Sequence, residues 1–80
     1  MSEERIVVYI LVNTQVGRED EILAKIRSME NVAEAYIVYG EFDIIAKIVL
    51  PQLELLDEMV STIRKIEGVT KTSTLITANR

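Results

Sequence analysis

Two stretches of the chain say nearly the same thing. IRSMENVAEAYIV, beginning at Ile26, and IRKIEGVTKTSTL, beginning at Ile63, carry the same residues at four places: Ile26 and Ile63, Arg27 and Arg64, Glu30 and Glu67, Val32 and Val69. The offset is 37 residues (63 − 26). Carried backwards, it sets Ile22 and Leu23 on Met59 and Val60, and the apolar run from Val7 on the run from Ile44. An 80-residue chain has room for one modest core, so the two copies are two supersecondary units sharing it, one domain over residues 1–80.

Each unit reads strand, helix, strand. Residues 6–12 (IVVYILV) and 44–50 (IIAKIVL) are short, β-branched and almost wholly apolar, the pattern of strands covered on both faces. Ile22, Ile26 and Met29 recur at helical spacing, as do Leu56, Met59, Val60, Ile63 and Ile66. Gly17 suits the N-cap region of the first helix, and Glu19, Asp20 and Glu21 complement the positive end of its dipole. Pro51 suits the start of the second helix, and Gly68 a left-handed cap behind Arg64 and Lys65. Residues 32–39 and 69–77 are more polar, as edge strands are. The order βαββαβ, with one hairpin at Gly40 and two right-handed crossovers, predicts an α+β ferredoxin-like plait. Its antiparallel sheet has strand order 4-1-3-2, with both helices on one face.

That arrangement leaves the other sheet face bare, and strand one is apolar at consecutive positions, so both of its faces are greasy. The expected cover is a second copy of the chain, giving a homo-oligomer. A charge at Val8 or Ile10, whichever points away from the helices, is expected to break that contact.

Composition removes most other chemistry. With no histidine and no cysteine there is no Ser-His or Cys-His pair and no thiolate or imidazole metal site, so no enzyme and no cofactor are expected. The absence of cysteine, of a signal sequence in MSEER and of any long apolar run makes a cytoplasmic, membrane-free setting the expectation. A net charge of −4, with nine scattered Lys and Arg residues, argues against direct nucleic-acid binding. TQVGRED lacks the glycine density of a phosphate cradle, so Arg18 reads as a surface residue.

What remains is the turn. YGEFDIIAKI places Gly40, Glu41, Phe42 and Asp43 between two apolar strands, more chemistry than a turn needs. Singly, each has a local explanation: Asp43 closing the turn on backbone amides, Phe42 folding onto the core, Glu41 merely solvated. Together, Gly-acid-aromatic-Asp resembles the effector-domain turn of the Lrp/AsnC family. VNTQVGREDEI is similar to that family's strand-to-helix entry, NVAEAYIVYGEFDIIAKI to its central hairpin and KIEGVTKTSTLI to its closing Thr-rich strand. Glu67 departs from the proline common there, which bears only on a helix end.

The resemblance implies a stand-alone effector (RAM) module, since strand one starts too near Met1 to leave room for a helix-turn-helix domain. It further implies a sheet-to-sheet dimer assembling further, commonly to an octamer, with an amino-acid effector in a cleft between dimers. Carried over residue by residue, the ligand-binding positions are Tyr36, Gly40, Glu41, Phe42 and Asp43, with Thr72, Ser73 and Thr74 on the closing strand. Two alternatives stand beside this reading. One is a ligand-free module forming mixed oligomers with full-length Lrp/AsnC regulators. The other is an ACT-type amino-acid-binding plait, with its ligand near Gly17. In all three readings the isolated chain is expected not to bind DNA. Saturable, salt-sensitive retardation of duplex DNA by the protein alone, at low micromolar concentration, overturns that expectation.

Overall fold

A computed structural model describes residues 5–78. The elements run β1 (Ile6–Thr14), α1 (Glu19–Arg27), β2 (Val32–Ile37), β3 (Ile44–Leu50), a single 3-10 turn (Leu53–Leu55), α2 (Leu56–Arg64) and β4 (Val69–Ile76). The four strands form one sheet in the order β2-β3-β1-β4, all neighbours antiparallel. This is the expected plait, its strand order read from the other end.

The internal repeat holds down to single hydrogen bonds. The two helices begin and end 37 positions apart, Glu19 to Leu56 and Arg27 to Arg64. Behind α1, Ser28 N–H donates to the carbonyls of Ala24 and Lys25, and Met29 N–H to that of Ile26. Behind α2, Lys65 N–H donates to Ser61 and Thr62, and Ile66 N–H to Ile63. Each unit then turns into its second strand through a residue with positive φ, Asn31 at 74° and Gly68 at 100°. Neither is the residue immediately after its helix. Gly68 follows one further turn of chain, closed by Val69 N–H to Ile66 carbonyl, so it sets the entry to β4 rather than capping α2. Pro51 likewise stands ahead of α2: the chain is still extended at Gln52 and enters α2 through the 3-10 turn.

β1 alternates between buried and half-buried residues, and β3 does the same from end to end. Val8, Ile10 and Val12 share the buried side with Ile44, Ala46, Ile48 and Leu50. Against them lie Ile22, Leu23 and Ile26 of α1 and Met59 and Ile63 of α2. One face of the sheet is therefore sealed by the helices. Val7, Tyr9 and Leu11 of β1, with Ile45 and Val49 of β3, face the other way and are only half-buried. Val8 and Ile10 thus belong wholly to the helix side, and the positions at which a charge probes the open face are Val7, Tyr9 and Leu11.

Gly68 and Asn31 give the turn geometry a direct test. A Cβ on Gly68 would stand 2.9 Å from Ile22 Cδ1, which is locked in the core, and the backbone there is left-handed. Gly68→Ala should lower unfolding free energy by about 1–3 kcal/mol. At the equivalent position Asn31→Gly should be neutral, or raise it by up to about 1 kcal/mol. Urea unfolding of both variants checks the pair.

Candidate functional site

The β2–β3 connection is a six-residue loop, 38–43, rather than a tight turn. Val38 N–H donates to the Asp43 carbonyl at 2.9 Å, closing the loop at its base, and Asp43 N–H donates to Val12 carbonyl at 2.9 Å. The Asp43 carboxylate continues in the same direction. Its Oδ2 accepts the Thr14 N–H at 2.8 Å, with Thr14 Oγ1 at 3.5 Å. Asn13 Nδ2 donates to the Glu41 carbonyl at 2.9 Å. Phe42 is half-buried, and Lys71 Nζ sits 5.8 Å from its ring centroid, within cation–π range. The loop is thus strapped across the ends of β1 and β4, and three of its four distinctive residues are held by strands remote in sequence. Gly40, at φ 148°, lies at the exposed tip with no heavy atom near the place of a Cβ, so conformation and not space calls for glycine there.

The expected ligand residues divide into three groups. Gly40, Glu41, Phe42 and Asp43 lie together in the loop. Thr72 and Thr74 stand opposite Val12 and Ile10, on the helix side of β4, whereas Ser73 stands opposite Leu11 on the open face. The two threonines do share a face. Tyr36, opposite Ile45, is half-exposed on the open sheet face, and its hydroxyl donates to Glu34 Oε1 at 2.7 Å. That carboxylate holds the Tyr36 phenol above its usual range, the hydrogen bond outweighing the charge effect. Within one subunit, then, loop, threonines and tyrosine line no common cleft.

Beside the loop lies a hollow lined by Glu19, Asp20, Ile37, Val38, Tyr39 and Asp43. Three carboxylates on its walls favour a cationic group. Glu19 is partly engaged, accepting Gly17 N–H on Oε1 at 3.1 Å. The sequence reading passed over Asn13, Thr14 and Lys71, which hold the loop, and Tyr39, almost fully exposed on the hollow's rim. Tyr39 adjoins Gly40 and could have been read as part of the motif. The other three are set by tertiary contacts with no local signature.

Because Asp43 serves the backbone of β1, it carries stability. Asp43→Ala leaves the Thr14 amide without its charged acceptor and should lower unfolding free energy by about 1.5–3 kcal/mol. Glu41→Ala keeps the backbone carbonyl that Asn13 uses and should stay within about 0.5 kcal/mol of wild type. Chemical denaturation of the two variants side by side measures the difference.

Comparison with known proteins bears on this geometry. The family described as the Lrp/AsnC ligand binding domain matches residues 7–80. Among curated proteins, the HTH-type transcriptional regulator FL11 of Pyrococcus furiosus is 30% identical over 71 residues, covering 89% of this chain and 47% of FL11. The chain therefore spans about half the length of that relative. Among solved structures, TTHA0845 from Thermus thermophilus superposes with a TM-score of 0.90 at 32% identity, covering 94% of this chain and 95% of that one. The transcriptional regulator NMB0573 from Neisseria meningitidis, solved as a complex with L-Met, superposes with a TM-score of 0.80 over 92% of this chain and 50% of its own. At 17% identity, that last likeness is one of fold.

Proposed function

This chain belongs to the Lrp/AsnC ligand-binding domain family, and we propose that it is an amino-acid-binding regulatory module acting through assembly of its own copies. The observation that carries this reading is the loop 38–43. It is held at its base by Asp43 on Thr14 and by Asn13 on Glu41, while its tip, with Tyr39, Gly40 and Glu41, stays exposed. A loop braced in this way presents fixed groups without having to be ordered by the ligand. The L-Met complex of NMB0573, a neighbour in fold, supports an amino acid as the class of ligand.

The roles follow from atom types. The ammonium of an amino acid is met by Glu41 and by Asp43 Oδ1, which receives no protein donor among the described residues. Its carboxylate lies against backbone amides near Gly40, where no Cβ intervenes. In one subunit Tyr36 and Ser73 lie on the open face, Thr72 and Thr74 on the helix side and Phe42 in the loop, so contributions from all of them to one cleft come from neighbouring copies, and the complete cleft exists only in the oligomer. Ligand that fits one assembly better than another shifts the population between them, with no bond made or broken. The first contact between copies is the open sheet face of Val7, Tyr9, Leu11, Ile45 and Val49, with further association, as far as an octamer, completing the clefts.

Isothermal titration with the twenty amino acids tests the reading. At least one should bind wild type, and Glu41→Ala should weaken it by tenfold or more while melting like wild type. If none binds, the sensor reading fails, leaving a module that joins longer regulators into mixed oligomers. Its similarity to FL11, a transcriptional regulator, is what supports that alternative. Assembly is tested separately: native mass spectrometry at micromolar concentration should show oligomers for wild type and monomer for Leu11→Asp. A wild type that is only monomeric refutes the assembly.

A further inference from the structure

The internal repeat lets one half of the molecule be read against the other. Arg18 and Leu55 are 37 positions apart, and each is the N-cap of its helix. The same offset pairs Glu21 with Glu58, Ile22 with Met59, Glu30 with Glu67 and Asn31 with Gly68. The start of α1 lies against the turn that follows α2, and the start of α2 against the turn that follows α1.

At the first junction the space is filled. Gly68 lies against Ile22 and the stem of Arg18. The Arg18 guanidinium then crosses the junction. Its Nη2 donates to Glu21 Oε2 at 2.7 Å and reaches the Glu67 carbonyl at 3.5 Å. That hydrogen bond is the main cause holding the Glu21 carboxyl below its ordinary range. At the second junction Leu55 stands in the place of Arg18, and a hollow of about 330 Å³ is left. Met29, Leu55 and Met59 give it an apolar lining, and Glu30, Asn31 and Glu58 a polar one; no Lys or Arg lines it. Among the described residues, neither the Glu30 nor the Glu58 carboxylate takes part in a hydrogen bond or ion pair. The acceptors of the first junction recur at the second, and the cation that uses them does not.

We propose that this hollow binds a small molecule carrying a guanidinium on a short aliphatic stem. The guanidinium takes the place that Arg18 holds in the other half, donating to the Glu58 carboxylate and toward the Glu30 carbonyl, and the stem lies on Met29, Leu55 and Met59. Flexible methionines fit such a stem without a matched shape. The size of the hollow and its apolar lining with a few convergent polar groups are those of a small-molecule site. A helix start carries about half a positive charge, which opposes a cation. Here Glu54, Asp57 and Glu58 set three negative charges against it, and Arg18 already stands in the same relation to α1. A carboxylate on the ligand would meet these same acids, which disfavours a free amino acid. The hollow is also remote from loop 38–43. Asn31 carbonyl accepts Val49 N–H near the far end of β3, whereas the loop enters at Ile44. The proposal therefore does not rest on the sensor reading.

Met29 and Met59 both line the hollow, so methyl-labelled methionine gives a local reporter by nuclear magnetic resonance. Titration with n-butylguanidinium, at millimolar concentration or below, should shift both methyl resonances saturably. n-Butylurea has the same shape without the charge and should bind at least tenfold more weakly. Glu58→Gln should weaken binding of n-butylguanidinium several-fold while melting like wild type. Leu55→Arg supplies the guanidinium from the chain itself and should abolish binding. Glu41→Ala should titrate like wild type. No saturable shift, equal binding of the urea, or wild-type binding by Glu58→Gln overturns the proposal; so does loss of binding in Glu41→Ala, which would place the ligand at the loop.

Discussion

Antiparallel pairing of β1 with β3 is the contact on which the remainder of the fold depends. These strands open the two halves of the repeat, and between them they supply seven of the core side chains, from Val8, Ile10 and Val12 to Ile44, Ala46, Ile48 and Leu50. Neither half closes a core by itself, because Ile22, Leu23 and Ile26 of α1 and Met59 and Ile63 of α2 share one buried cluster with the side chains of both strands. The turns reinforce the exchange. The carbonyl of Asn31, in the first half, accepts Val49 N–H from the second, and the carbonyl of Gly68, in the second, accepts Gln15 N–H from the first. Both acceptors sit on the residues with positive φ, so the same backbone feature that directs each helix into its following strand also ties the halves together.

Such an arrangement spends its two best apolar strands at the centre of a sheet with helices on one side only. Burial of the helix side is complete at Val8, Ile10, Val12, Ile44 and Ile48. The opposite side keeps Val7, Leu11, Ile45 and Val49 half-covered by their own neighbours. Around them, Lys47 and Glu34 approach to 4.0 Å and Tyr36 bonds Glu34, a polar margin beside an apolar strip. An apolar centre with a polar margin is the usual make-up of a protein contact surface. Under the proposed function, such a surface gives binding at the loop a means of action, by changing which copies fit together.

Much of the fold was legible because periodicity reports burial directly. The span of β3, the two helix phases and the edge positions of β2 and β4 all follow from apolar spacing and the repeat. Which side of β1 faces the helices was not legible, since Ile6 to Val12 is apolar at every position and alternation carries no signal there. The helix ends were misplaced for a related reason. Pro51 and Gly68 are strong local punctuation, yet each marks an extra turn of chain between helix and strand, whose length is set by packing. In the candidate site, the motif identified the loop but not its fastening. Thr14 lies 29 positions before Asp43, and nothing local to either residue announces the bond between them.

That bond changes what an acid in this loop means. A carboxylate placed only to meet a ligand is expected to stand free, with its charge uncompensated until the ligand arrives. Asp43 instead spends one oxygen on the last residue of β1 and offers its backbone N–H to Val12 on the same strand. Through those bonds the loop's position is coupled to β1, the strand shared by the core, the open face and the β4 ladder. Glu41, one turn of loop further out, has its backbone held by Asn13 and its side chain left to solvent. The two acids therefore differ in a way the motif alone does not show: Asp43 fixes where the loop stands with one oxygen and keeps the other unspent, and the Glu41 side chain is left to solvent. Under the proposed function, a ligand that meets Glu41 acts on a loop whose base is bonded to β1, the strand that also carries the core, the open face and the β4 ladder.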